Sequence, residues 1–149
     1  MKRFFILLSC VSVLTLAGCG SKSSNSTKVL ECSSTGPVGS ASSEQTYKVY
    51  FDSENVERLS VNINVTLNEQ DDVTRDNLEN DVSNAFADYK NRDGVSYSSN
   101  VKDNGFNVRL DVNFNKLSDE DKASISIINS EKSYDEIKSE FESDGFSCK

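Results

Sequence analysis

The 149-residue chain has no histidine and no tryptophan, and only one proline and one methionine. The missing histidine removes the commonest general base and the commonest metal ligand. Serine–histidine triads and zinc sites of the usual kind are thereby excluded. Ser-Lys or carboxylate-dyad chemistry survives on composition, yet no Ser-x-x-Lys or Gly-x-Ser-x-Gly element stands where such chemistry needs it. Positive charge is also scarce: 16 Lys and Arg face 24 Asp and Glu, for a net charge of −8. Nucleic acid selects basic surfaces and is excluded as a partner. Flat binding to anionic lipid is disfavoured as well, because the juxtamembrane stretch offers only Lys22 and Lys28.

One long apolar run is present, Phe4 to Leu16, and it is shorter than the roughly 20 residues a spanning helix needs. Lys2 and Arg3 precede it and Leu16-Ala17-Gly18-Cys19 follows, which is the layout of a cleavable signal peptide ending in a lipobox. Residues 1–18 are therefore expected to be a lipoprotein signal peptide, with diacylglycerol on the Cys19 sulfur anchoring the chain to the extracytoplasmic side of a bacterial membrane. Two acyl chains supply the second anchoring signal that one chain lacks. Gly20 to Thr27 is almost wholly Gly, Ser, Lys and Asn, so 19–27 reads as the lipidated cysteine and a flexible tether. Residues 28–149 are left for a single domain.

Of the four cysteines, Cys10 falls in the leader and Cys19 takes the lipid, leaving Cys32 and Cys148. Two cysteines in an exported domain suggest one disulfide, tying the first strand to the last residues. A redox-active or metal-binding pair is the weaker reading, since neither belongs to a Cys-x-x-Cys element.

Strands are expected at about 28–33 and 46–52, with the Ser/Gly/Thr-rich stretch Ser33 to Ser43, including Pro37, as a loop between them. Leu59, Val61, Ile63, Val65 and Leu67 alternate with polar residues, marking a half-buried third strand. Tyr47, Val49 and Phe51 share its parity, so a three-residue loop, Ser53-Glu54-Asn55, with Asn at a position tolerating positive φ, keeps both sets on one face. Asn104-Gly105 suits a two-residue type I′ turn that pairs Val101 with Val108, Tyr97 with Val112 and Val95 with Phe114. Between the hairpins, Leu78, Val82, Ala85, Phe86 and Tyr89 recur at helical spacing behind Asp71, Asp72 and Asp76, predicting a helix over 72–91 that stops at Gly94. Ser133 and Glu136 form a capping box, and Tyr134, Ile137 and Phe141 an apolar stripe, predicting a second helix over 133–144. A short helical turn near Ser118 is a further option. The fold class is α+β: an antiparallel sheet of about five strands, in the order β-β-β-α-β-β-α, with two helices packed on one face.

Asp71-Asp72 and Asp119-Glu120-Asp121 resemble helix starts more than calcium ligands, and the window Asn68 to Glu79 has Val73 where a calcium loop needs Gly. No metal, cofactor or catalytic residue is assigned. The Asn-Ser-Thr and Asn-Val-Thr triplets at Asn25 and Asn64 match a glycosylation pattern that rarely applies in bacteria. The outward sheet face holds more interest: Asn62, Asn64 and Thr66 on one strand, and Asn107, Arg109, Asp111, Asn113 and Asn115 on another. Rows of amides can hold sugars, peptides or a partner strand, although a merely solvated face is normal for an antiparallel sheet.

The lipobox, Cys32 near the first strand, the helix around Val73 to Tyr89, Lys116-Leu117-Ser118-Asp119-Glu120-Asp121 and the ending Gly145-Phe146-Ser147-Cys148-Lys149 together resemble the YehR-like family of small bacterial lipoproteins. The resemblance covers nearly the whole mature chain. It implies an α+β fold and a Cys32–Cys148 link, and it implies no particular activity. The sequence thus points to a non-enzymatic binding or envelope-support module whose partner is an envelope protein or glycan. The alternatives are a solute- or ion-binding lipoprotein serving a transporter and a His-free envelope hydrolase.

Overall fold

The computed structural model describes residues 28–53, 55–68, 72–125 and 127–149, so the expected leader and tether, with Cys19, lie outside the described residues. The fold is α+β. Six strands form one antiparallel sheet: β1 (Lys28–Val38), β2 (Ala41–Asp52), β3 (Asn55–Leu67), β4 (Val95–Lys102), β5 (Gly105–Asn113) and β6 (Ser147–Cys148). Their spatial order is β4-β5-β3-β2-β1-β6. Among the described residues three helices accompany them, α1 (Asp72–Ala85), α2 (Asp119–Ser124) and α3 (Tyr134–Ser143), with a 3-10 turn at Phe114–Lys116. The expected count of five strands and two helices is thus short by one of each. The sixth strand is only two residues long, and α2 is the short turn at Ser118, whose hydroxyl accepts the Asp121 N–H.

Strand alternation puts one complete set of side chains inward. Leu30, Val49, Leu59, Val61, Val108, Leu110 and Val112 are all fully or almost fully buried on that face. Both longer helices cover it: α1 packs against β5, and α3 against β1 and β6. The Ser133–Glu136 capping box is present, and Ile137 is buried while Tyr134 and Phe141 pack at the core's edge. Tyr47 meets Phe141 and Phe146 at ring-centroid distances of 5.0 and 5.3 Å, closing the aromatic end of the core. Cys32 and Cys148 lie opposite each other on β1 and β6 and form a disulfide, with Cα atoms 4.1 Å apart.

The stretch Ser33 to Ser43 is not a loop. It forms the ends of β1 and β2, which pair down to Val38 and Ala41 across a two-residue turn with Gly39 at φ 58°. The cause lies in β3: its 13 residues need a partner along their full length, and Ala41 to Thr46 supply it opposite Leu67 to Asn62. Small side chains fit there, since Ala41 and Ser43 are buried.

The β2–β3 turn corrects a second expectation. Asp52 pairs with Asn55, so the connection is even, and the positive φ falls on Ser53 rather than Asn55. Parity is restored by a bulge: Phe51 pairs with Val56, but Tyr50 pairs with Arg58, leaving Glu57 extra. Both Val56 and Leu59 are consequently buried.

In the second hairpin the turn is Asp103-Asn104, one residue earlier than expected, so Val101 faces Phe106, Tyr97 faces Leu110 and Val95 faces Val112. A shift of two in partner leaves every side chain on its expected face. Gly105 serves another purpose: with φ 153°, it crosses β3 so closely that a Cβ would lie 1.9 Å from the Val65 carbonyl oxygen. Helix α1 also ends early, at Ala85 rather than 91. From Phe86 the chain tightens into i→i−3 bonds, through which Phe86 and Tyr89 are buried and Arg92 reaches Asp121 and Ser124 of α2.

Candidate functional site

With the helices on one side, the other sheet face is left open across all described strands. Register sets side chains from adjacent strands side by side. One row runs Asn100, Asn107, Asn64, Glu44, Thr35; the next runs Ser98, Arg109, Asn62, Thr46, Ser33; a third runs Ser96, Asp111, Ser60, Lys48, Glu31. The predicted residues Asn62, Asn64, Thr66, Asn107 and Arg109 are therefore true neighbours, with Asn64 opposite Asn107, Asn62 opposite Arg109 and Thr66 opposite Gly105.

Asn107 organises the centre. Its side-chain amide donates to Asn62 Oδ1 at 2.5 Å, Asn64 Oδ1 at 2.8 Å and the Ile63 carbonyl at 3.2 Å. The Asn62 and Asn64 side-chain oxygens are thus held toward Asn107. Arg109 Nε donates to Asp111 Oδ2 at 2.8 Å, and the carboxylate holds the guanidinium in its charged form. Toward the β6 edge, Lys48 and Lys149 bond Glu31 at 2.9 and 3.2 Å and hold its carboxyl below the ordinary value. Charged side chains enter the rows as well, Glu44 opposite Asn64 and Arg109 opposite Asn62, so the amide and hydroxyl cluster around Asn107 is bordered by charge.

Two expected members depart from the rows. Asn115 lies beyond β5 in the 3-10 turn, and Asn113 Oδ1 accepts its backbone N–H at 3.1 Å, so Asn113 caps that turn at a corner of the face. Residues not singled out from sequence gather at the same corner. Arg58 stacks over the Tyr50 ring at 3.9 Å, and Gly94, Ser96 and Lys116 join it around a cleft of about 290 Å³. The parity of Arg58 with Asn62 was a sequence signal for its face, but its stacking partner depended on the bulge. A larger cleft, about 730 Å³, opens at the end of the sheet over a floor of Val56, Phe114 and Ile125, with Asn55, Asn115, Asn129 and Lys122 at its rim.

Among the described residues, the acidic runs bring together no group of three or more carboxylates that could hold a metal ion. Asp119, Glu120 and Asp121 are the first turn of α2, where negative charge suits the helix dipole, and Asp72–Glu79 lies in α1. Asp71 is outside the described residues. No helix among the described residues is long and apolar enough to cross a membrane.

No family model matches the chain, and no curated relative matches it. Among solved structures, the chain is similar to an NMR structure of a protein from Streptococcus pneumoniae TIGR4, at 10% identity and a TM-score of 0.57 over all of this chain and 98% of that one. That likeness is one of fold.

Proposed function

We propose that the protein is a non-enzymatic, lipid-anchored envelope module that binds a hydroxyl-rich glycan on its open sheet face. The observation that carries this reading is the row structure of that face: amides and hydroxyls cluster around Asn107, which presets the orientation of its two asparagine neighbours. A flat array of fixed donors and acceptors suits a polar polymer, while the apolar side chains are committed to the helices on the opposite face. The anchor rests on Leu16-Ala17-Gly18-Cys19, and the resemblance to the YehR-like lipoproteins supports the same address.

Two measurements test it. Intact mass of the cell-derived protein should show a diacylglyceryl adduct at Cys19 that a Cys19→Ser variant lacks; an unmodified mature chain contradicts the anchor. Co-sedimentation with insoluble cell-wall glycan should retain the wild type and lose an Asn62→Ala/Asn64→Ala/Asn107→Ala variant; equal retention contradicts the face.

A second reading, solute binding in service of a transporter, is favoured by the 730 Å³ cleft, whose size suits a small polar ligand. Calorimetry with amino acids and short sugars, with Lys122→Ala as control, tests it; no heat in the wild type sinks those cases.

A further inference from the structure

The corner where β3, β4 and β5 meet the 3-10 turn collects positive charge in a protein whose net charge is −8. Arg58 and Lys116 both line its cleft, and neither is in an ion pair with any described residue. Arg58 lies over the Tyr50 ring at 3.9 Å, and its guanidinium has no hydrogen-bond partner among the described residues. Lys116 ends the 3-10 turn on the far side of Asn113, which itself pairs with Arg58 across the strands.

Part of the cleft lining is bare backbone at Gly94. Gly94 sits at φ 82°, and a Cβ there would lie 2.8 Å from both the Asn113 carbonyl oxygen and the Lys116 Cβ. The Gly94 carbonyl accepts the Asn113 N–H at 2.8 Å, locking this backbone to β5. Neutral donors flank the cations: the Ser96 hydroxyl, and the Asn113 amide, whose oxygen is already used by the Asn115 N–H. The carboxylate in the lining, Asp111, is bonded by Arg109 at 2.8 Å.

We propose that this corner is an anion-binding site in which Arg58 and Lys116 grip a carboxylate or phosphate group, with Ser96 and Asn113 as neutral donors. A guanidinium fork matches either group in bidentate fashion, and an ammonium supplies the second charge. Occupancy here requires neither the lipid anchor nor a glycan on the central rows, so failure of either leaves the site standing.

The test is a titration of the isotope-labelled full-length protein in detergent with inorganic phosphate, with galacturonate, and with galactose as the neutral control, at constant ionic strength. Backbone amide signals of Gly94, Ser96, Asn113 and Lys116 should move together and saturate in the millimolar range with phosphate, galacturonate or both, and stay still with galactose. Which acid acts decides between phosphate and carboxylate. Arg58→Gln and Lys116→Gln, both at exposed positions that should leave the remaining spectrum unchanged, should each weaken binding at least fivefold; Arg58→Lys should fall between. Shifts that do not saturate, that follow every surface lysine alike, or that persist undiminished in Arg58→Gln overturn the site.

Discussion

Reducing the Cys32–Cys148 bond should cost about a third or more of the domain's stability. The bond joins residues 116 apart in sequence. A loop of that length, in the chain-entropy treatment, corresponds to about 5 kcal/mol at 25 °C. A small domain has in total about 5–15 kcal/mol to lose. Without the bond, β6 is held by two backbone bonds between Glu31 and Lys149, at 3.1 and 2.9 Å, by the Lys149–Glu31 ion pair, and by Phe146 against Tyr47 and Phe141. Urea unfolding followed by circular dichroism, with and without reductant, reads the loss: the midpoint should fall by roughly 3 M for an m-value near 1.5 kcal/mol/M. A Cys32→Ala/Cys148→Ala variant adds the packing loss at fully buried Cys32, about 1 kcal/mol further. A fall smaller than about 0.5 M on reduction would refute the argument, because the crosslink would then constrain an unfolded chain that is already compact there.

The remaining expectations follow from local geometry. Gly105→Ala should destabilise by about 3 kcal/mol, since β5 must move off the Val65 carbonyl; a denaturation midpoint within error of wild type would contradict the close approach. Ser133→Ala should cost about 1 kcal/mol by opening the capping box of α3, read as a thermal shift of a few degrees. Glu31 titrates below its ordinary 4.5 because Lys48 and Lys149 bond its charged form. Its folded value is thus lower than its unfolded one, so its contribution is present above about pH 4.5 and disappears as pH falls through the folded value. Glu31→Gln should accordingly flatten the acid limb of the stability curve, and an unchanged limb would exclude the pairing as a cause. Asn62→Ala/Asn64→Ala should shift stability by only about 0.5 kcal/mol, measured by urea unfolding, because the face it alters is uncovered.

The inward face was legible because it depends only on parity. Leu59, Val61, Ile63, Val65 and Leu67 alternate whatever the turn, and a register slip of two at Asp103-Asn104 changed no face. The Ser133 capping box was legible because its reciprocal bonds are local. What the sequence hid were partners distant along the chain. Ser33 to Ser43 carries little apolar area and reads as a loop until β3 is seen to need pairing to its end. Gly105 reads as a turn residue until Val65 approaches it. The rows of Asn62, Asn64 and Asn107 were visible as a face but not as a bonded cluster, since that requires the β3–β5 register. Arg58, Gly94 and Lys116 carry no shared spacing at all, and a bulge at Glu57 and a 3-10 turn bring them to one corner.

The most direct test of the open face is its footprint by amide chemical shifts, using the labelled full-length protein and soluble peptidoglycan fragments. Perturbations should concentrate at Asn62, Asn64, Thr66 and Asn107, with Ile137 and the α3 surface silent. Shifts confined to the α3 side, or none at all, would contradict binding at that face.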